Sequence, residues 1–296
     1  MSPPVPSVLG SHFIGVILSA LFYGPTLAQI WWYYRTYQND RWSMKALVAF
    51  LWALDTAQLV LVAASIYHYT IVWQGDIEMS SRVSKTFEAS MGITSIVAFL
   101  VQLTYAHRIW RLSFGNSLVT FSIVMLALVA LGSGGAMVVK TVRDPLWDST
   151  HVSDLPASTF YTSSVACDLL IAATQVYLFR KSRTGIGRLG GLITKLTVLV
   201  INVGLITSID VTLFLILFLV CPLNGAFLIP YILMSHCYLN SFLSVYGSSP
   251  ITMTMLVQAS APELQNRYDI DLRPFLYTSR ALFDARYLGG ACPGMV

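Results

Sequence analysis

The sequence predicts an all-α integral membrane protein, a bundle of seven transmembrane helices, and two observations carry this prediction. Hydrophobic residues make up 55% of the 296 residues and charged residues only 11%, whereas soluble domains average about 25% charged residues. Long apolar runs also recur along the chain, and a helix needs roughly 20 apolar residues to cross the hydrocarbon core of a bilayer. The seven predicted spans are 11–34, 46–70, 89–107, 117–139, 159–179, 195–219 and 223–246.

The distribution of basic residues predicts the orientation of this bundle. If the N-terminus is outside, 14 of the 18 Lys and Arg residues fall in the inner connections or after the last span. Positive charge collects on the cytoplasmic side of membrane proteins, so we expect an outer N-terminus and a cytoplasmic C-terminus. Residues 1–10 form a short extracellular segment in this arrangement. Residues 247–296 mix charges and prolines without periodicity, which predicts a largely disordered cytoplasmic tail.

The individual spans differ in character. The third span is the most polar of the seven, so neighbouring helices are expected to shield it. The fourth span contains "ALGSGGA", in which Ala130 and Gly134 lie one helical turn apart and favour close helix packing. The sixth and seventh spans are joined by the short stretch "CPLNGA", which favours an antiparallel pair of helices.

Several classes of function are disfavoured by the same sequence. The basic residues lie between apolar runs rather than in one folded patch, so no nucleic-acid partner is expected. The four cysteines form no CxxC motif, and the five histidines are scattered over both sides of the predicted membrane, so no metal site is expected. The last span contains no Lys for a retinal Schiff base. We therefore expect no cofactor and name no catalytic residue.

Four stretches together resemble a known family. They are "LFYGPTLAQIWWYYRTYQNDRWSMKALVAFLWALDT", "VQLTYAHRIWRLS", "ACDLLIAATQVYLFRKSRTGIGRLGGLITKLTVLVINVGLITSI" and "YLNSFLSVY". In this order they resemble a large family of basidiomycete fungal seven-helix membrane proteins that carry a conserved domain of unknown function. The resemblance covers about Leu9 to Tyr246 and implies the seven-span fold and its topology, but no activity. One departure is "NSFLSVYGSSP" after the last span, where the family usually has a stretch like "NSLLATLNAR".

Three aspartates lie inside the apolar runs. Asp55 and Asp168 are each about nine residues from an end of their span, which places both near the midplane, and Asp210 lies in the outer half of its span. A charged Asp at the centre of a membrane helix costs roughly 2.5 to 3.5 kcal/mol. These side chains are therefore expected to face the bundle interior or to carry a proton, with hydroxyls and amides as partners.

The three aspartates predict a polar cavity near the midplane. Helical spacing places Asn202 and Asp210 on roughly one face, and carboxylates in membrane spans commonly mark ligand, ion or proton pathways. The alternative is that each Asp anchors neighbouring helices through a hydrogen bond that contributes about 0.6 kcal/mol. The candidate ligand or ion cavity comprises Asp55, Asp168, Asp210, Gln102, Asn202 and His236.

Two basic residues are candidates for cytoplasmic interaction. Arg108 in "YAHRIW" ends the third span, and Arg183 in "RKSRTGIGR" lies in the third inner connection. Either could meet a cytoplasmic partner or a lipid headgroup. The simpler alternative is that both residues are positive charges that set the topology of the chain.

Three functions fit these observations, in decreasing order. The first is a receptor-like sensor, with a polar midplane cavity for a small-molecule ligand and a basic face for a cytoplasmic protein. The second is a proton-coupled transporter of small molecules, because buried carboxylates suit proton coupling. The third is an intramembrane enzyme for lipids or isoprenoids, with a buried Asp as general acid. All three place the protein in a lipid bilayer, either the plasma membrane or an endomembrane.

Overall fold

The computed structural model describes residues 5–38, 42–74, 76–113, 117–147, 155–181, 204, 206–220 and 225–246. Every regular element in these ranges is a helix, and one isolated bridge joins the loop residues Arg82 and Leu146. The helices are α1 (Val5–Thr36), α2 (Trp42–Tyr67), α3 (Ile77–Ser80), α4 (Lys85–Leu112), α5 (Ser117–Arg143), α6 (Leu155–Lys181), α7 (Ile206–Val220) and α8 (Leu228–Tyr246).

Five helices in the described part of the chain are long and apolar enough to cross a membrane. They are α1 from Val8, α2 with the π-helical turn His68–Val72 that extends it, α4, α5 and α8. Helix α6 has 27 residues and is not among these five, and α7 is a shorter apolar helix. The several long apolar helices mark an all-α integral membrane protein, while the count of seven spans stays a prediction.

Some helices extend beyond the apolar runs that predicted them. Helix α4 covers Lys85–Leu112, where the sequence predicted a span over 89–107. Its N-terminus is fixed by Ser84, whose hydroxyl accepts a hydrogen bond from the backbone of Phe87 at 3.3 Å. Helix α1 begins at Val5, inside the predicted outer segment 1–10. The predicted tail, 247–296, lies outside the described residues.

The polar side chains of helix α1 face inward, which is the reverse of a helix on the surface of a soluble protein. In α1 the polar side chains His12, Ser19 and Thr26 are buried, and they recur every seven residues, which is two helical turns. The side chains that α1 exposes are large and apolar, such as Phe13 and Leu21. Exposed apolar side chains in such numbers are compatible with lipid as the surrounding solvent, so the polar stripe identifies the inner face of the helix.

Close packing of α4, α5 and α6 depends on Gly134. A Cβ atom at Gly134 would lie 2.5 Å from the Ser95 hydroxyl oxygen and 3.1 Å from the ring of Phe160. Ala130, one turn earlier, is also buried. The expectation that the small residues of "ALGSGGA" serve close helix packing is therefore confirmed for this pair.

Helices α1 and α8 run in the same direction. Thr26 donates to the side chain of Asn240 at 2.8 Å, and Gln29 donates to Ser244 at 3.2 Å, so the residue numbers rise together along both helices. The turn before α8 touches α1 through Gly225, which has φ +64° and whose added Cβ would lie 2.8 Å from Val8. Glycine is suited to this position both by its conformation and by the lack of space.

The loops that follow α2 and α5 pack together at one end of the bundle, which we call the predicted outer end. The hydroxyl of Tyr69 donates to the carbonyl of Arg82 and accepts from the backbone of Ser84, both at 2.8 Å. The backbone of Val83 donates to the carbonyl of Pro145 at 2.7 Å. These bonds hold the two loops over the ends of α4 and α5.

Candidate functional site

Helix α8 is the central polar element of the bundle. It is the most buried of the five candidate spans. In its most apolar stretch 78% is buried inside the structure, against 22% for α1. Its polar side chains Ser235, His236 and Tyr238 are all buried and all bind a carboxylate of another helix. The two carboxylates that the sequence places near the midplane therefore meet the same helix.

The first polar centre surrounds Asp55 of α2. The Ser235 hydroxyl donates to one carboxylate oxygen at 2.8 Å, and Nδ1 of His236 lies 2.9 Å from the other. Nε2 of the same imidazole lies 2.6 Å from the hydroxyl of Ser19 in α1. All four side chains are completely buried. We call this set, Asp55, Ser235, His236 and Ser19, the Asp55 centre.

The order serine, histidine, aspartate in the Asp55 centre matches that of a hydrolase triad. An imidazole that donates from Nδ1 to a carboxylate can accept a proton at Nε2. Catalysis would also require room for a substrate beside Ser19, and neither of the two pockets described below includes Ser19 or His236. What the geometry does show is that the Asp55 centre joins α1, α2 and α8 through a continuous chain of hydrogen bonds.

The second polar centre surrounds Asp168 of α6. The Gln102 amide of α4 donates to one carboxylate oxygen at 3.1 Å, and the Tyr238 hydroxyl donates to the other at 2.8 Å. Tyr238 lies two residues after His236, which is a rotation of about 200° around the helix. The two carboxylates thus lie on different sides of α8. We call Asp168, Gln102 and Tyr238 the Asp168 centre.

A small pocket adjoins the Asp168 centre, between α4, α6, α7 and α8. Its size leaves room for about one water-sized particle beside the carboxylate. Two of its lining residues, Tyr105 and Gln175, are buried, and the Tyr105 hydroxyl and the Gln175 amide nitrogen have no hydrogen-bond partner in the described ranges. The lining residues are Tyr105, Asp168, Ile171, Ala172, Gln175, Gly204, Thr207, Tyr238, Ser241 and Val245.

Asp210 belongs to neither centre. It lies on α7 near Cys237 and Tyr238, close enough to interact with both electrostatically. One of its carboxylate oxygens is buried without a hydrogen-bond partner among the residues described. The structure thus pairs Asp55 with His236 and Asp168 with Gln102, and neither pocket contains more than one of the three aspartates.

Of the two residues predicted to take part in cytoplasmic interactions, Arg108 and Arg183, the structure describes only Arg108. Arg108 is buried, and its guanidinium lies 6.0 Å from the centre of the Tyr246 ring. The Tyr246 hydroxyl donates to the carbonyl of Thr104 at 3.4 Å, so Arg108 is packed at the ends of α4 and α8 that lie opposite the predicted outer end. Arg183 and the cavity candidate Asn202 lie outside the described residues.

A larger pocket lies at the predicted outer end. With its open mouth it contains about 660 Å³ of space that no protein atom fills. Its wall is mostly apolar, with seven aromatic residues among the sixteen that line it, and the rings of Tyr161 and Phe214 stack with centroids 3.6 Å apart. We call it the outer pocket, and its lining residues are Val83, Phe87, Met91, Met137, Lys140, Thr141, Asp144, Trp147, Pro156, Ala157, Tyr161, Phe214, Phe218, Phe227, Leu228 and Tyr231.

Sequence reasoning missed several residues of these sites. Ser19 carried a signal, since it shares a seven-residue stripe with His12 and Thr26 in an otherwise apolar helix. Tyr238 and Tyr105 carried none, because a tyrosine in an apolar run counts as part of the hydrophobic pattern. In the described residues no three His, Cys, Asp or Glu side chains come together in one group.

Comparison with known proteins adds one match. No curated protein matches the chain, and no solved structure matches it. The match lies in residues 164–248. This segment covers Asp168, all of α7 and all of α8, so it includes the α8 residues that contact both carboxylates. Residues 164–248 match a family of unknown function (DUF6534), and a domain of that family is therefore found in this part of the chain.

Proposed function

We propose that this protein is a membrane sensor that binds a small, largely apolar molecule in the outer pocket and transmits the binding along α8. The observation that carries the proposal is the course of α8. Its first turns line the outer pocket through Leu228 and Tyr231, and its middle holds both carboxylates. Its last residue, Tyr246, reaches the buried Arg108 at the other end. One helix thus connects a ligand-sized pocket with the predicted cytoplasmic side.

The chemistry of the outer pocket supports an apolar ligand with a polar tip. Ligand pockets are mostly apolar, with a few polar groups that orient the ligand. Here the aromatic wall would contact the body of the ligand, and Lys140 and Asp144 stand among the lining residues as polar groups. Tyr231 lies one helical turn before Ser235, so a ligand that moves Tyr231 would act on the Asp55 centre directly.

The proposal includes seven spans with the N-terminus outside, as in the fungal family that the chain resembles. The parallel course of α1 and α8 supports an odd number of crossings, which puts the two termini on opposite sides. The basic inner connections would then face the cytoplasm and offer a surface, with Arg183, to a cytoplasmic protein.

Ligand binding is tested on the full chain in lipid nanodiscs, by thermal shift against a library of small apolar and amphipathic compounds. A compound that stabilises the wild-type protein should lose this effect in Ala157→Trp, because the added indole fills the outer pocket. Leu169→Trp changes a lipid-facing position of α6 that is 52% exposed, so it should bind normally. Equal binding by wild type and Ala157→Trp would contradict the assigned pocket.

Transmission is tested with the same compound by hydrogen–deuterium exchange. Binding should change the exchange rate of backbone amides at 104–112, the inner end of α4. Asp55→Asn should bind the compound yet lose most of this change, because the substitution weakens the bond between α8 and α2. An unchanged rate at 104–112 in the liganded wild type would contradict the proposal of a sensor.

A proton-coupled transporter is the second candidate, favoured by the pocket beside Asp168. A membrane carboxylate that borders a cavity is the arrangement that proton coupling uses. Proteoliposomes with an imposed pH gradient would then accumulate the compound that the screen identifies. Asp168→Asn should abolish this accumulation while leaving binding in the outer pocket intact.

A further inference from the structure

Polar residues from four helices stand among the lining residues of the pocket beside Asp168. Besides Asp168 of α6, they include Tyr105 on α4, Thr207 on α7, and Tyr238 and Ser241 on α8. The Gln175 side chain adds an amide, which offers an oxygen as well as a nitrogen. Hard cations prefer carboxylate, carbonyl and hydroxyl oxygens as ligands. The polar residues of this wall are therefore of the types that can bind a cation.

An ionised Asp168 would call for a single positive partner. In the described part of the chain no Lys or Arg side chain forms an ion pair with it, and its bonds come from the neutral groups of Gln102 and Tyr238. An ionised carboxylate without a counter-charge is costly inside a membrane bundle. One monovalent cation would balance the charge, whereas a divalent cation would leave an excess of positive charge in the same environment.

Two further observations point to an occupant. The Tyr105 hydroxyl and the Gln175 amide nitrogen are buried at the pocket without a hydrogen-bond partner among the described residues. Buried polar groups are seldom left without partners, because each such group costs roughly 1–3 kcal/mol. Measured like the outer pocket, with its open mouth, this pocket contains about 360 Å³ against 660 Å³, and its enclosed part admits about one water-sized particle, which suits a single ion.

We propose that this pocket binds one Na⁺-sized monovalent cation, held by the Asp168 carboxylate and the surrounding hydroxyl oxygens. The Gln175 amide would turn its oxygen toward the ion, since its two ends are nearly equal in size. Because the cation would contact α4, α6, α7 and α8 together, it would stabilise the packing of the bundle around α8. The proposal does not depend on the sensor function, since it concerns a different pocket.

The test measures the thermal stability of the full chain in nanodiscs at constant ionic strength, with NaCl replacing choline chloride. The wild-type protein should be stabilised by Na⁺ in a saturable manner that fits one site, and Asp168→Asn should show no such effect. Asp55→Asn is the matched control and should keep the response, because its carboxylate borders neither pocket. Equal stability in the two salts, or an equal Na⁺ response in Asp168→Asn, would overturn the proposal.

Two milder variants keep the test decisive if Asp168→Asn does not fold. Tyr105→Phe and Thr207→Val each remove one oxygen from the wall, and each should weaken the apparent affinity for Na⁺ by about tenfold. Thr56→Val is their control, since the Thr56 hydroxyl binds Tyr23 and Trp52 away from the pocket. Unchanged Na⁺ affinity in both pocket variants would also overturn the proposal. Neither result bears on ligand binding in the outer pocket, which the thermal-shift screen decides.

Discussion

The Asp55 centre and the Asp168 centre place the same residue type at similar depth in one bundle, yet they are built differently. Asp55 is completely buried, its two oxygens are bound by Ser235 and His236, and no described pocket includes it. Asp168 also accepts two hydrogen bonds, but it borders a pocket in which the Tyr105 hydroxyl and the Gln175 amide nitrogen have no hydrogen-bond partner among the described residues.

This difference separates two uses of a buried carboxylate. A carboxylate whose oxygens are both bound by donors of another helix fixes the helices relative to one another. A carboxylate that faces space and unpaired polar groups can receive something from outside the chain. The cost of an unsatisfied buried group makes the second arrangement unfavourable unless an occupant is bound.

The largest effect is expected from Asp55→Leu. It would leave the imidazole of His236 and the hydroxyl of Ser235 without their buried partner, so the free energy of unfolding should fall by about 3–5 kcal/mol. The measurement is unfolding in mixed micelles with increasing SDS, compared with Val60→Leu on the exposed face of α2. A loss no larger than that of the control would show that the Asp55 centre does not hold the helices together.

Asp168→Asn should have a smaller effect. The asparagine side chain keeps the shape of aspartate and one oxygen that can accept the hydrogen bond of Tyr238. The substitution also removes an ionisable group from the bundle. In the absence of Na⁺ the free energy of unfolding should change by about 1 kcal/mol or less. The same unfolding assay in choline chloride measures this, and a loss equal to that of Asp55→Leu would erase the contrast between the two centres.

The smallest effects are expected from removing a single hydroxyl group, that of Ser19 or that of Tyr105. Ser19→Ala removes a hydroxyl that binds Nε2 of His236 at 2.6 Å, so unfolding should become easier by about 1 kcal/mol. Tyr105→Phe removes a hydroxyl that has no partner in the described residues, so its effect without Na⁺ should be close to zero. If Tyr105→Phe were the more damaging of the two in choline chloride, the Asp168 pocket would already be satisfied by the chain itself.

Much of this architecture follows from the sequence, but the pairing of side chains does not. The apolar runs predict long helices, and the rule that a buried Asp needs hydroxyl or amide partners places Gln102 and His236 among the candidates. Which Asp meets which partner depends on how each helix is rotated. That rotation is weakly encoded here because lipid-facing and inward-facing positions are both largely apolar, so the amphipathic pattern of soluble helices is missing.

The remaining differences between the structure that the sequence predicts and the observed one concern helix ends and tyrosines. Helix α4 extends past its apolar run because backbone hydrogen bonding continues to a capping residue, Ser84, that hydropathy does not register. Tyr238 and Tyr105 look apolar in the sequence, yet their hydroxyls supply the polar chemistry around Asp168. An amphipathic side chain shows its polar end only once its neighbours are known.

The contrast between the two carboxylates is tested most directly by locating the cation. Crystals of the full chain grown from a lipid phase with Tl⁺ in place of Na⁺ would show the ion by its anomalous scattering. Our account predicts one peak within the bundle, in contact with the carboxylate of Asp168, and none beside Asp55. A peak at Asp55, or an anomalous map without a peak at Asp168, would contradict it.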